Sequence, residues 1–116
     1  MARSGRSWEN AQILCNQSNA NLVSVHSEEE SNFVVDLIDN ELRNKTRCMW
    51  TGGKKNYDTN TWEWVDGSDY DFTNWNSGQP DGGNRDNQQC ITYLRGGHQW
   101  NDRPRHQWCT ITICKK

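Results

Sequence analysis

Long apolar runs are absent from this chain. No stretch of its 116 residues approaches the ~20 apolar residues that a membrane-spanning helix needs. No signal peptide is visible, so for an exported protein the targeting segment, and any anchor, is expected outside these residues. Excess charge is absent too: the net charge is −2, which leaves no electrostatic footprint for nucleic acid. His98 and His106 have no second His or Cys at ligand spacing, which argues against zinc. No Ser-His-Asp set, zinc motif or phosphate loop is present, which argues against an enzyme. Apolar residues make up 32 % of the chain, a low share for a globular domain. There is no internal repeat and no low-complexity tract.

Seven tryptophans offset part of that apolar deficit, since each is a large apolar side chain. Five cysteines in so short a chain suggest cross-links and an oxidising compartment. Two sequons, Asn16-Gln17-Ser18 and Asn44-Lys45-Thr46, agree with a secreted or extracellular glycoprotein. The length fits one domain, residues 1–116.

Residues 7 to 18 read as a helix capped by Ser7, with Trp8, Ala11 and Cys15 on one face. Leu22-Val23-Ser24-Val25 reads as a short strand. Ser27 and Glu30 form a capping box, and Phe33, Val34, Leu37 and Ile38 give a helical stripe over about 28 to 41. Glu28, Glu29 and Glu30 suit a helix N-terminus rather than a catalytic pair. Met49-Trp50-Thr51 is a strand ending at Gly52-Gly53. Trp62-Glu63-Trp64 is another, after a turn near 58 to 60. Residues 66 to 89 hold almost no aliphatic side chains, and a loop that long is usually functional or disordered. Phe72 and Trp75 argue for order, because they can pin the loop to a core. Asp66, Asp69 and Asp71 read as solvated or turn-forming, and His26 as a structural hydrogen-bonder. Strands around Ile91 and Tyr93 and around Ile111 and Ile113 follow, with Gly96-Gly97 as a turn. Trp50, Trp62, Trp64, Trp75 and Trp100 are expected in the core; Trp108 fits either core or ligand contact. Helices first and short strands around a polar loop make an α+β domain.

The chemistry concentrates in Gln79-Pro80-Asp81 and Trp100-Asn101-Asp102. Calcium takes about six to eight oxygen ligands from carboxylates, amides, carbonyls and water. An X-Pro bond can be cis at modest cost, and a cis bond at Gln79-Pro80 would turn Gln79 and Asp81 to one side. Gln79, Asp81, Asn101 and Asp102 are therefore candidate ligands of a cation.

These runs together resemble the C-type lectin-like domain. Leu22 to Glu30 resembles that family's strand and second-helix start, and Trp50-Thr51-Gly52-Gly53 its core Trp-Ile-Gly-Leu motif. Trp62 to Gly67, Trp75, Gln79-Pro80-Asp81, Cys90 and Trp100-Asn101-Asp102 follow in the family's order. The resemblance covers nearly the whole chain. It implies a double-loop fold whose long loop holds a calcium ion that coordinates two vicinal sugar hydroxyls. Gln-Pro-Asp resembles the readers of galactose and N-acetylgalactosamine, whereas Glu-Pro-Asn would have suggested mannose. Gln79, Asp81, Asn101 and Asp102 would serve both calcium and sugar. Weak single-site binding would favour clustering in a homo-oligomer.

Several positions depart from that pattern. Gln88 stands where a glutamate is usual; its amide still offers oxygen but removes a charge, so weaker calcium binding is expected. Asp86 is the substitute if the loop repacks. No aromatic follows Asp81, which leaves Trp108 or His106 as candidates for the sugar's apolar face. Lys55, Thr59 and Gly82 fall where the acids of an accessory calcium site would stand. The resemblance implies Cys15–Cys114 and, with Arg105 at the usual cysteine position, Cys90–Cys109. Cys48 is then left over: free, bridging two chains, or parted from a partner in a missing segment. The family's N-terminal strand is not recognisable, which would leave the last strand short of a partner. These departures motivate an alternative, a calcium-independent protein-interaction domain of the same fold.

Overall fold

The computed structural model describes residues 5–42, 48–80, 89–94 and 99–116. Helix α1 (Trp8–Asn16) begins as expected: Ser7 Oγ accepts from the Asn10 N–H at 3.4 Å, and Trp8, Ala11 and Cys15 are its buried face. Helix α2 is Glu28–Leu42. Ser27 Oγ accepts the Glu30 N–H at 3.0 Å, and the Glu30 carboxylate reaches past the cap to the His26 N–H at 2.8 Å. The stripe differs from expectation: Phe33 is 63 % exposed while Val34 and Val35 are buried. The inward face runs Ser31, Val34, Val35, one turn at i, i+3 and i+4. Ser31 can face inward because its hydroxyl bonds the Tyr93 hydroxyl at 2.6 Å.

Among the described residues the strands are β1 (Asn21–Leu22), between the two helices, and, after α2, β2 (Cys48–Asn56), β3 (Thr61–Trp64), β4 (Gln89–Leu94), β5 (Trp100–Pro104), β6 (Ile111–Thr112) and β7 (Cys114–Lys115). The larger sheet has the order β3-β2-β4-β5, with β6 alongside β2 in parallel; β1 and β7 make a second, antiparallel pair. The last strand thus finds its partner in β1. Strand β2 runs on through Gly52-Gly53 to Asn56 rather than stopping there. Those glycines mark close approach: a Cβ at Gly52 would lie 2.7 Å from the Leu22 carbonyl oxygen, and one at Gly53 would collide with Ile91.

The sheet is covered on both faces, and alternation along each strand sorts the core in two. Met49, Ile91 and Tyr93 join Val34, Val35, Trp64 and Trp100 on one side. Cys48, Trp50 and Cys90 join Trp8, Ala11 and Cys15 of α1 on the other. Trp50, Trp64 and Trp100 are buried as expected, and Trp62 and Trp75 pack partly buried against the first cluster. Burying aromatics on both faces lets a chain poor in aliphatic residues close a core.

Cys15 and Cys114 are bridged, tying α1 to β7. The second bridge is Cys48–Cys109, and Cys90 is the buried free thiol. The expected Cys90–Cys109 pairing is corrected by the register of β6. Met49 lies opposite Ile111, so Cys48, one residue before, meets Cys109, two residues before, at a Cα–Cα distance of 4.9 Å. Cys48 is therefore not left over for a bridge between chains. Burial pushes the Cys90 thiol up to about 12, which keeps it protonated and unreactive. Alkylation without reductant should spare the folded chain and label Cys90 alone after denaturation. A label on Cys48 would overturn this pairing.

Candidate functional site

The long loop starts from a polar anchor. Asp66 accepts from Ser24 Oγ at 2.7 Å and from the Ser68 N–H at 2.9 Å, so it is turn-forming, as expected. Lys115 of β7 joins the same cluster, 2.6 Å from the Glu30 carboxylate and 3.1 Å from the Ser24 carbonyl. Further along, Asp71 pairs with His26 Nδ1 at 2.8 Å, the structural role expected of that histidine. Burial works to raise the pKa of Glu30 and Asp66. Hydrogen bonds outweigh it, from Lys115 and the His26 N–H for Glu30 and from Ser68 and Ser24 for Asp66, so both fall below their ordinary 4.5 and 3.8. Groups held lower in the folded state contribute stability above their unfolded values and lose it as pH falls through the folded ones. The thermal midpoint should therefore be flat from about pH 7 to about pH 5 and drop below about pH 4. Lys115→Met should lower the plateau and shrink the drop.

From this anchor the loop runs over the Trp100 side of the core. Tyr70, Phe72 and Trp75 surround the Trp100 ring at centroid distances of 6.4, 5.9 and 5.6 Å. The backbone then lies beside β5: the Trp100 N–H donates to the Asn74 carbonyl at 2.8 Å, and the Asn76 N–H to the Trp100 carbonyl at 2.9 Å. A turn follows, with the Gln79 N–H on the Asn76 carbonyl at 2.9 Å and Gly78 at φ +81°. The Gln79–Pro80 bond is cis, the isomer open to an X-Pro bond at modest cost.

This path delivers Gln79 to β5. Its Oε1 accepts the Asp102 N–H at 3.3 Å. Asp102 is buried and Asn101, beside it in β5, is half-buried. Of the expected ligands, Gln79 thus meets β5 at the Asp102 backbone, and Asn101 neighbours Asp102 along that strand. Asp81, Gln88 and Asp86 lie outside the described residues. Among the described residues no three His, Cys, Asp or Glu side chains cluster. The side chains of Gln79, Asn101 and Asp102 offer amide and carboxylate oxygens, the chemistry of a hard cation such as calcium rather than of zinc.

A cavity of about 350 Å³ opens beside Pro80 and Asp102, lined also by Lys55, Tyr57, Asn60, Trp62 and Gln89. Tyr57 is fixed there by accepting the Gln89 N–H at 3.0 Å. Its place in the site escapes a sequence reading that ends β2 at Gly52-Gly53. The available signal was the spacing of Lys55, Tyr57 and Trp62 across a hairpin. Trp108 sits elsewhere, 51 % exposed, with its ring over Gly5: a Cβ there would lie 3.1 Å from it.

The family described as Lectin C-type domain matches residues 4–116. The galactose-specific lectin nattectin of Thalassophryne nattereri is 35 % identical over 68 % of the chain and 49 % of its own length. The type-2 ice-structuring protein of Osmerus mordax is 37 % identical over 94 % of the chain and 59 % of its own length. The chain therefore spans about half the length of these relatives. Among solved structures, an SPL-1–GlcNAc complex superposes with a TM-score of 0.78, at 29 % identity over 96 % of this chain and 80 % of that one.

Proposed function

The chain belongs to the C-type lectin domain family, and from that premise we propose that it binds galactose-type glycans through calcium held at Gln79, Asp81, Asn101 and Asp102. The observation supporting this reading is the Asp102 backbone N–H donating to Gln79 Oε1 at 3.3 Å, which brings the two separate sequence runs side by side. Calcium, once bound, would supply direct coordination of two vicinal sugar hydroxyls. The side chains orient that sugar: amide and carboxylate oxygens left over from the metal accept its hydroxyl hydrogens, and the amide N–H groups of Gln79 and Asn101 donate. Gln88 belongs to the set as a neutral oxygen donor, so calcium affinity should be modest. Gln-Pro-Asp and the likeness to a galactose-specific lectin support galactose or N-acetylgalactosamine over mannose. With Trp108 away from the cavity, the rings Tyr57 and Trp62 are aromatic surfaces available to the sugar's apolar face. Two disulfides support an extracellular setting, where weak sites gain avidity through clustering into oligomers.

The test is retention on immobilised galactose in calcium, with release by a chelator and a mannose column as control. Retention on mannose alone would sink the specificity, and passage through both would sink the sugar reading.

A second reading is favoured by Gln88 and by the ice-structuring relative: calcium-independent binding of a protein or another surface by the same fold. It requires that calcium leave the thermal midpoint unchanged, whereas a ligand that binds only the folded state must raise it. An upward shift in millimolar calcium would remove this reading.

A further inference from the structure

The cavity beside the sugar site has a chemistry that a neutral sugar does not call for. Lys55 is its cation. Its Nζ lies 5.7 Å from the ring centroids of both Tyr57 and Trp62, and it has no carboxylate partner among the described residues. The two rings hold the ammonium in place by cation–π attraction without neutralising it. The Tyr57 hydroxyl already accepts from the Gln89 N–H, so its own proton is directed to another acceptor. The Asn60 amide, at the left-handed turn position (φ 59°), adds donors to the same rim. The one negative side chain lining the cavity among the described residues is Asp102. In the reading above that carboxylate faces calcium, which cancels its repulsion. Pro80 and Asp102 line the cavity and also belong to the sugar site, so a ligand on one reaches the other without a linker. The volume, about 350 Å³, lies within the range of small-molecule sites.

We propose that this cavity is an anion subsite in which Lys55, Tyr57 and Asn60 receive an acidic substituent of the glycan, a sulfate ester or a sugar carboxylate. It rests on the calcium-dependent sugar reading and deepens it: the substrate class becomes acidic galactosides. A lysine with no carboxylate partner among the described residues, beside a neutralised aspartate, leaves net positive potential over the cavity when calcium is bound. Exposed charge pairs of this kind give modest gains that salt screens.

Calorimetric titration in calcium would compare galactose, 6-sulfogalactose, 3-sulfogalactose and a sialylated galactoside. At least one acidic ligand should bind about fivefold tighter than galactose at low salt, the upper end of what one exposed charge pair gives. The ratio should shrink as salt approaches about 0.5 M. Lys55→Gln should bring it to about one, and Lys55→Arg should restore part of it. The sulfated and sialylated arms tell ester from carboxylate. If galactose binds but no acidic ligand binds better, or if Lys55→Gln keeps the preference, this inference is overturned and the galactose reading stands. If galactose itself does not bind with calcium, both fall.

Discussion

Asp81→Ala is expected to abolish retention on galactose while leaving the chain folded. The residue is an expected ligand of the metal and a hydrogen-bonding partner of the sugar, so its loss acts twice. A hydrogen bond to a charged group contributes about 1.5–3 kcal/mol, which alone is roughly 10- to 100-fold in affinity. The metal term adds to this, because calcium affinity follows the number of charged ligands. With Gln88 neutral, the site has fewer carboxylates to lose than a site with glutamate there. The decisive comparison is of thermal midpoints. In chelator the variant and the parent should melt together; in calcium the parent alone should rise, by the mass-action term of a folded-state ligand. A variant that melts lower in chelator would show Asp81 to be structural, and one that still binds galactose would move the site elsewhere. Asp102→Asn is the harder test, since the residue is buried; it keeps the shape and removes the charge, and should weaken calcium binding without unfolding.

Trp100→Ala is expected to cost about 3–5 kcal/mol, the usual range for deleting a large buried aromatic. That is a large share of the ~5–15 kcal/mol a small domain has in total. Trp100 is fully buried and has Trp64, Phe72 and Trp75 edge-on around it at 5.6 to 5.9 Å. Its backbone also holds residues 74 and 76 of the loop. The substitution removes the ring against which the loop packs, so galactose retention should fall with stability. Urea unfolding with tryptophan fluorescence would measure the loss. Trp100→Phe, which keeps an aromatic, should cost clearly less and retain binding. A loss under about 1 kcal/mol for alanine would mean that the loop is held by other contacts.

Much of this molecule could be read from local pattern. Ser7 and Ser27 announced the two helices, because an N-cap acts within one turn. Trp62 and Tyr93 were recognisable as strand residues from neighbours two apart, whereas of the strand expected over 22–25 only Leu22 lies in β1. Gln79 and Asp102 could be grouped beforehand because oxygen-donor chemistry is carried by residue type, and the fold brings Gln79 to the Asp102 backbone.

What the sequence could not decide were relations between distant segments. Phe33 and Val35 are both apolar positions of α2, and which faces inward depends on the rotation of the helix against β4. Tertiary packing chose Val35 and gave Ser31 the Tyr93 hydroxyl. Cys109 was expected to pair with Cys90, and the parallel register of β6 on β2 gave it Cys48 instead. Gly52-Gly53 looked like a strand end because glycine commonly ends strands; in the fold they let Leu22 and Ile91 approach. Lys55 shows the difference most clearly. By itself it is a lysine where an acid was expected. Only the β2–β3 hairpin, carrying it between Tyr57 and Trp62 and beside Pro80 and Asp102, makes it the charge of a cavity. Side-chain chemistry is local and survives in the sequence, but proximity across a sheet depends on register, which the folded chain alone sets.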